Sequence, residues 1–257
     1  MAAADNTVAG RLALITGASG GIGRACAIEL WGEGASLALT YNRNKAAVDE
    51  LVQLLTKDGS HAAQKISTHQ VDMASADGLT SMMANVEEQH GRTPDILIPN
   101  AGYGKRIPMI NDIPLDEFDY TLTVNLRSAF ILAKGCIPGM TERKWGRIVF
   151  ISSISGQGGG INGCHYAASK AGMTGMMKNL ARKHAADGIT VNDVAPAMIG
   201  DTGMIPDAKY VAGTPGDVKN IPVGRLGTPQ EVANVVMMLC KTGYMTGQSI
   251  LLSGGLQ

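Results

Sequence analysis

Short, continuously apolar runs alternate along this chain with longer stretches of helical period. RLALIT (11–16), SLALTY (36–41), DILIPN (95–100), RIVFIS (147–152), TVNDVA (190–195) and SILLS (249–253) are apolar as runs, not at every second position. That is the pattern of strands buried on both faces. KISTHQVD (65–72) reads as a more polar strand. Helical patterns fill residues 21–33, 44–58, 75–90, 115–140, 166–187 and 229–241. The last opens on TPQE, which predicts Thr228 as N-cap, Pro229 at the first helical position and Glu231 closing a capping box. Strand–helix alternation throughout predicts an α/β fold: a parallel sheet built from right-handed crossovers, with helices on both faces in three α/β/α layers. One domain over residues 1–257 is expected, with residues 1–9 as an N-terminal tail. The stretch 197–220 has Gly and Pro spread through it. A loop that long inside a compact domain is a lid or a binding loop.

Composition acts mainly by exclusion. The 22 basic and 22 acidic residues cancel, so no basic surface for nucleic acid or an anionic membrane is expected. Cys26, Cys136, Cys164 and Cys240 are scattered, with no CxxC pair, which fits a reduced, intracellular protein without a structural metal. The start MAAADNTVAG has no basic n-region and no long apolar run, and no segment is apolar enough to span a bilayer. A cytoplasmic protein is expected. The 33 glycines fall largely in loops, where they permit close backbone approach to a ligand.

Three stretches carry candidate chemistry. LALITGASGGIGRACAIEL (12–30) is strand, glycine turn, helix, with Gly17, Gly21 and Gly23 spaced to bring backbone against a pyrophosphate at a helix N-terminus. An ordinary tight turn is the other reading. LTYNRNK (39–45) ends the next strand without an acid before Asp49, and with Arg43 and Lys45 near. The missing acid favours NADP over NAD, although either cation could be a solvated surface charge. HYAASKAG (165–172) puts Tyr166 and Lys170 at i and i+4, on one helix face. They form either an ordinary polar surface or a phenol whose acidity an ammonium tunes.

Taken together, TGASGGIG (16–23), Asp72 after the third strand, NAG (100–102), TVNL (123–126), ISS with Ser153, YAASK (166–170), VAP (194–196) and IPVGRLGTPQEVA (221–233) resemble the short-chain dehydrogenase/reductase family. The resemblance is to its compact members of 3-oxoacyl-carrier-protein-reductase type, and it runs from about residue 10 to the C-terminus. It implies a Rossmann-like, doubly wound sheet of about seven strands, NADPH/NADP+ as cofactor, and a homo-oligomer, dimer or tetramer. It places the cofactor on Gly17, Ser19, Gly21, Ile22, Gly23, Arg43, Asp72, Met73, Asn100, Ala101, Gly102, Pro196, Ile199 and Thr202, with Tyr166 and Lys170 at the nicotinamide end.

The family chemistry answers the Tyr–Lys question. Carbonyl reduction needs a proton on oxygen, and a phenol of pKa about 10 is a poor donor until a nearby ammonium lowers it. Tyr166 is then the proton donor, Lys170 tunes it and holds the nicotinamide ribose, Ser153 polarises the substrate oxygen, and Asn125 holds a water that relays protons from Lys170. Taken singly, Ser153 could be a turn cap, Asn125 a buried amide and Asp72 a cap for the following helix. Tyr103, Gly104, Cys164 and His165 are expected to line the substrate pocket, with the lid and the loop 156–164. Ala171 and Gly172 let another backbone pack close, as at a family-type subunit interface.

The sequence departs from the family at Pro99, at Ala197 where Gly is usual, at Thr202, one residue later than usual, and at Ser253 in place of Asp. The expected activity is reduction of a ketone by NADPH. The substrate is a 3-oxoacyl thioester, with Lys105, Arg106 and Arg127 as a dock for an acidic carrier protein, or a bulkier specialised-metabolite ketone; an alcohol dehydrogenase working in reverse shares the same site. A non-catalytic NADPH sensor is the alternative from another class. A sugar-nucleotide epimerase is disfavoured by the short stretch after the last strand.

Overall fold

The computed structural model describes residues 5–57, 59, 63–158 and 160–256. Residues 1–4 of the expected tail, residue 58 of the second expected helix and residue 159 of the loop 156–164 lie outside these. The strands are β1 (Leu12–Ile15), β2 (Ser36–Tyr41), β3 (Ile66–Gln70), β4 (Ile96–Ile98), β5 (Gly146–Ile151), β6 (Ile189–Pro196) and β7 (Ser249–Leu252). The helices are α1 (Gly21–Gly32), α2 (Lys45–Thr56), α3 (Ala76–His90), α4 (Leu115–Leu122), α5 (Ser128–Glu142), α6 (Cys164–His184) and α7 (Pro229–Cys240).

All seven strands join one sheet in the order β3-β2-β1-β4-β5-β6-β7, and every pairing is parallel. The chain winds outward from β1 to β3, then returns to lay β4 on the other side of β1. The carboxyl ends of β1 and β4 therefore face a crevice at this reversal, where α/β sheets place ligands. Side chains alternate between the two faces. Ile15, Leu39, Val149 and Val194 pack with Leu30 of α1, Leu51 of α2 and Val236 of α7. Leu14, Leu97, Phe150 and Val191 pack with Leu79 of α3, Leu132 of α5 and Met173 and Met177 of α6. Two apolar layers on one sheet explain why the strands read as unbroken apolar runs.

The capping box forms as expected: the Thr228 hydroxyl accepts from the Glu231 N–H, and the Glu231 carboxylate accepts from the Thr228 N–H. β4 stops at Ile98, before Pro99, which has no N–H for a ladder. The helix expected over 115–140 is not continuous. A π turn, Thr123–Arg127, separates α4 from α5 and centres on Asn125. The loop 197–220 carries only two short 3-10 turns, Ala208–Val211 and Val218–Asn220. It is held by an apolar cluster of its own, Met198, Ile205, Val211 and Ile221. The tail is partly tied down: Val8 is buried in the core, and Trp145 Nε1 donates to the Asp5 carbonyl at 2.9 Å.

Asp95, fully buried before β4, ties this arrangement together. Its carboxylate accepts from the Leu12 N–H at 2.9 Å, from Arg92 at 2.6 Å and from Arg143 at 2.8 Å, joining β1, β4 and the C-terminal end of α5. Removing one partner of a buried ion pair leaves an uncompensated charge and costs several kcal/mol. Asp95→Ala should lower stability by about 3 kcal/mol in urea unfolding. A loss under about 1 kcal/mol, the worth of an exposed pair, would contradict this.

Candidate active site

The crevice is a cavity of about 580 Å³. One end is built by the glycine turn between β1 and α1. Gly17 has φ +67°, a left-handed conformation that favours glycine. A Cβ at Gly23 would lie 2.5 Å from the Gly17 carbonyl oxygen, and one at Gly21 only 2.3 Å from that of Asp201. Gly20, the N-cap of α1, offers no side chain to the first N–H groups of the helix, which leaves them for a ligand. A turn narrowed to bare backbone at its glycines, ending at the N-terminal N–H groups of α1, fits a pyrophosphate.

Thr16 and Asn100 hold the turn. The Thr16 hydroxyl accepts from the N–H groups of Asn100 at 3.0 Å and Ala101 at 2.9 Å. Asn100 Nδ2 donates to the carbonyls of Thr16 and Gly17. Thr16 is a structural hub that the motif contains but the sequence did not single out.

Gly17, Ser19, Gly21 and Ile22 line the cavity, as do Asp72, Met73, Asn100, Ala101 and Gly102. Pro196, Ile199 and Thr202 line it from the other side. Gly23 lies behind the turn, where its missing side chain makes room for Gly17 and Asn100. Asp72 accepts from the Ala74 N–H at 2.9 Å, and the cap of α3 is Ser75. Arg43 stands one residue beyond the lining residue Asn42 and is exposed. Its side chain has no hydrogen bond or ion pair among the described residues, whereas Lys45 is bound to Asp49 at 2.7 Å. Of the two cations, Arg43 is the free one.

Tyr166 and Lys170, one turn apart on α6, and Ser153, just past the end of β5, meet on one wall of the cavity. Burial pushes the Tyr166 phenol up to about 12, with Ser153 opposing, so it is neutral across the physiological range. Burial likewise draws the Lys170 ammonium down to about 8, and Asp193 acts against the fall. Lys170 Nζ sits 5.6 Å from the Tyr166 ring centroid and donates to the Ile151 carbonyl at 2.8 Å. In the free protein, desolvation is the largest influence on both groups.

Ser153 is the turn cap that the sequence allowed, its hydroxyl accepting from the Ser155 N–H at 3.1 Å, and it also lines the cavity. Asn125 is buried, with Oδ1 taking the Tyr103 N–H at 2.7 Å and Nδ2 donating to the Tyr103 carbonyl and the Ser169 hydroxyl. It is the buried amide that the sequence allowed, and it pins the loop after NAG. It also lies beside the lysine: a Cβ at Gly102 would be 3.6 Å from both Asn125 Oδ1 and Lys170 Nζ. Within the chain, backbone already packs close to Ala171. A Cβ at Gly156 would meet the Ala171 N at 3.0 Å, and one at Gly172 would meet Leu126 at 2.7 Å.

At the far end, Tyr103 and Gly104 line the cavity as expected. Tyr103 stacks edge-on against Tyr120, with centroids 5.0 Å apart. The lid supplies a residue that the sequence did not flag: Met204, whose sulfur receives the Tyr166 hydroxyl at 3.9 Å. A methionine in a loop carries no periodic signal, which is why it was invisible. Cys164 and His165 do not line the cavity. Cys164 is exposed, while His165 is fully buried and binds the Lys105 carbonyl at 3.1 Å. The helix phase explains this, since residues three and four apart share a face, and Cys164 and His165, two and one before Tyr166, do not. Of the expected dock, Lys105 is paired with Glu117 at 3.0 Å and Arg127 donates to the Ala74 carbonyl. Arg106 alone of the three lines the cavity, exposed.

Known proteins share this framework over almost its whole length. The family model described as Enoyl-(Acyl carrier protein) reductase matches residues 17–257. A 3-oxoacyl-(acyl-carrier-protein) reductase of Pseudomonas aeruginosa is 35% identical over 252 residues, 96% of this chain and 97% of its own. An acetoacetyl-CoA reductase of Shinella zoogloeoides is 36% identical, covering 95% and 98%. A human (3R)-3-hydroxyacyl-CoA dehydrogenase is 34% identical, covering 98% and 97%. Among solved structures, a double mutant of a Serratia marcescens short-chain dehydrogenase/reductase superposes with a TM-score of 0.85 at 31% identity, covering 97% of this chain and 98% of its own. With its seven-stranded sheet, this chain belongs to the short-chain dehydrogenase/reductase family, as an oxidoreductase acting on the CH–OH/C=O pair.

Proposed function

We propose that the protein is an NADPH-dependent carbonyl reductase in which Tyr166 gives its proton to the ketone oxygen. The observation that carries this is the buried, neutral phenol beside Ser153 on the cavity wall. A phenol held at about 12 keeps its proton at neutral pH, so the proton is in place for the reducing direction. The Lys170 ammonium and the positive charge of the oxidised nicotinamide are what ease its transfer. When bound, the cofactor supplies hydride from C4 of the nicotinamide to the carbonyl carbon.

The chain's own groups do the rest. Ser153 hydrogen-bonds the carbonyl oxygen and stabilises the charge that grows there. Tyr166 protonates it. Lys170, held by the Ile151 carbonyl, lies a turn away to meet the ribose and restore the Tyr166 proton. Asn125, beside Lys170, is placed to hold the water that connects it to solvent. Arg43, free and without an acid nearby, is the group for the 2′-phosphate.

The named activities of the three relatives support a 3-oxoacyl thioester as substrate. Arg106 at the rim is the group to meet an acidic carrier, and the lining of Tyr103, Tyr120, Ile161 and Met204 suits an acyl chain. A homo-oligomer and a cytoplasmic location belong to the same proposal. Among the described residues no helix is long and apolar enough to cross a membrane.

The first test is loss of absorbance at 340 nm with NADPH or NADH against acetoacetyl thioesters, bulkier ketones and an enoyl thioester. Ketone reduction preferring NADPH is expected; reduction of the enoyl bond alone, or binding of NADPH with no turnover, would overturn the reading. Tyr166→Phe should lower kcat by about 10²–10⁴-fold, the usual worth of a positioned acid, with NADPH affinity near that of the wild type. Turnover within about tenfold of wild type would remove Tyr166 as the donor. Arg43→Ala should weaken NADPH about tenfold, the worth of one charge-assisted hydrogen bond, and leave NADH nearly unchanged. Equal weakening of both would take Arg43 out of the 2′-phosphate site.

A further inference from the structure

Asp193 is a carboxylate in the middle of the sheet. It lies in β6, fully buried, and faces Phe150 of β5 across the ladder. Its Oδ1 accepts two short hydrogen bonds, from the Ser152 hydroxyl at 2.6 Å and from the Ser249 hydroxyl at 2.7 Å. Its Oδ2 is buried with no hydrogen-bond partner among the described residues. A buried carboxylate with half its acceptors empty is costly unless a positive charge stands near.

That charge is Lys170. Asp193 projects to the α6 side of the sheet, as Val191 does two residues earlier. Lys170, on α6, reaches down to the Ile151 carbonyl, one residue beyond Phe150 on β5. Carboxylate and ammonium thus lie on the same face of the sheet, the one rooted on β6 and the other anchored one residue further along the neighbouring β5. Ser152, which binds the carboxylate, also lines the cavity floor next to Ser153.

We propose that Asp193 is a positioning residue for Lys170: a fixed carboxylate beneath the cavity floor that keeps the lysine an ammonium where the sheet and α6 would otherwise strip its charge. The effect of Asp193 on turnover rests on the carbonyl-reductase reading, whereas its effect on the charge of Lys170 does not.

Few groups face Lys170. They are Tyr166 from its own helix, Asn125 from the π turn, the Ile151 carbonyl and Ser152–Ser153 from the end of β5, and Asp193 from β6. Among these side chains the one carboxyl group is that of Asp193, and Tyr166 is neutral until about 12. Burial lowers the pKa of Lys170 and Asp193 raises it. Removing the carboxylate therefore lets the ammonium lose its proton at lower pH.

Asp193→Asn tests this, because the amide oxygen still accepts from Ser152 and Ser249 while the charge is gone. Should that variant not fold, Asp193→Ser removes the same charge. The direct readout is competitive acetylation of the full-length protein with acetic anhydride across pH 6–10, followed by mass spectrometry of the peptide bearing Lys170. This reads the lysine whether or not any ketone turns over. The midpoint of Lys170 labelling should fall by about one pH unit, a tenfold change in its proton affinity, relative to wild type. An unchanged midpoint overturns the proposal.

The second readout is kcat with NADPH and acetoacetyl thioester over the same range. The variant should match wild type at pH 6 and lose activity about one pH unit earlier on the alkaline side. An equal loss at every pH means a merely structural role and overturns the proposal. If the wild type turns over no ketone while the labelling midpoint moves as expected, the reductase reading fails and the pairing of Asp193 with Lys170 stands.

Discussion

Parallel strands that diverge must leave backbone groups without ladder partners, and at the carboxyl edge of this sheet those groups have to be satisfied away from water. Thr16 does this for Asn100 and Ala101, and Asn100 for Thr16 and Gly17. Lys170 does it for Ile151, Ser153 for Ser155, and Asn125 for both polar groups of Tyr103. The residues that carry the candidate chemistry are thus also the ones that close the open end of the sheet. Their positions are set by that requirement before any ligand arrives, and this is how a loop-built site comes to be preorganised.

The same arrangement explains the electrostatics. Groups that must reach backbone at the bottom of a crevice are buried, and burial disfavours whichever form carries charge. The phenol of Tyr166 keeps its proton and the ammonium of Lys170 is close to losing one. An ammonium at that depth needs a counter-charge, and in the pairing proposed above β6 supplies it from below. The apolar layers that make the sheet stable are therefore what make an internal carboxylate chemically meaningful.

The strands were legible because two apolar faces erase the alternation that would make them ambiguous, and α7 because its capping box is a local signal. Tyr166 and Lys170 were legible as a pair because helical phase puts them on one face, whereas Ser153, off that helix, was placed only by the family resemblance. The same phase, applied to the two preceding residues, would have excluded Cys164 and His165 from the pocket. The π turn at Asn125 was hidden, since a one-residue change in hydrogen-bond register leaves the apolar pattern of 115–140 intact. Met204 and Thr16 were hidden for opposite reasons, one lying in a segment with no period and the other inside a strand that its apolar neighbours already explained. Asp193 sat in a run read only as strand, where a single acid among Val, Asn and Ala does not say which face it takes.

The clearance at Gly21 has a consequence for how this protein can change. The root of the lid, at Asp201, rests so closely on the phosphate turn that a side chain at position 21 would occupy the same space. Asp201 and nearby Met198 both hold left-handed backbone, with φ of +53° and +52°, so the lid has little freedom to back away. The glycine turn and the loop 197–220 therefore share one steric boundary. A lineage, or an engineer, that adds a side chain to the turn must also move the loop that walls the far side of the cavity, and the two ends change together.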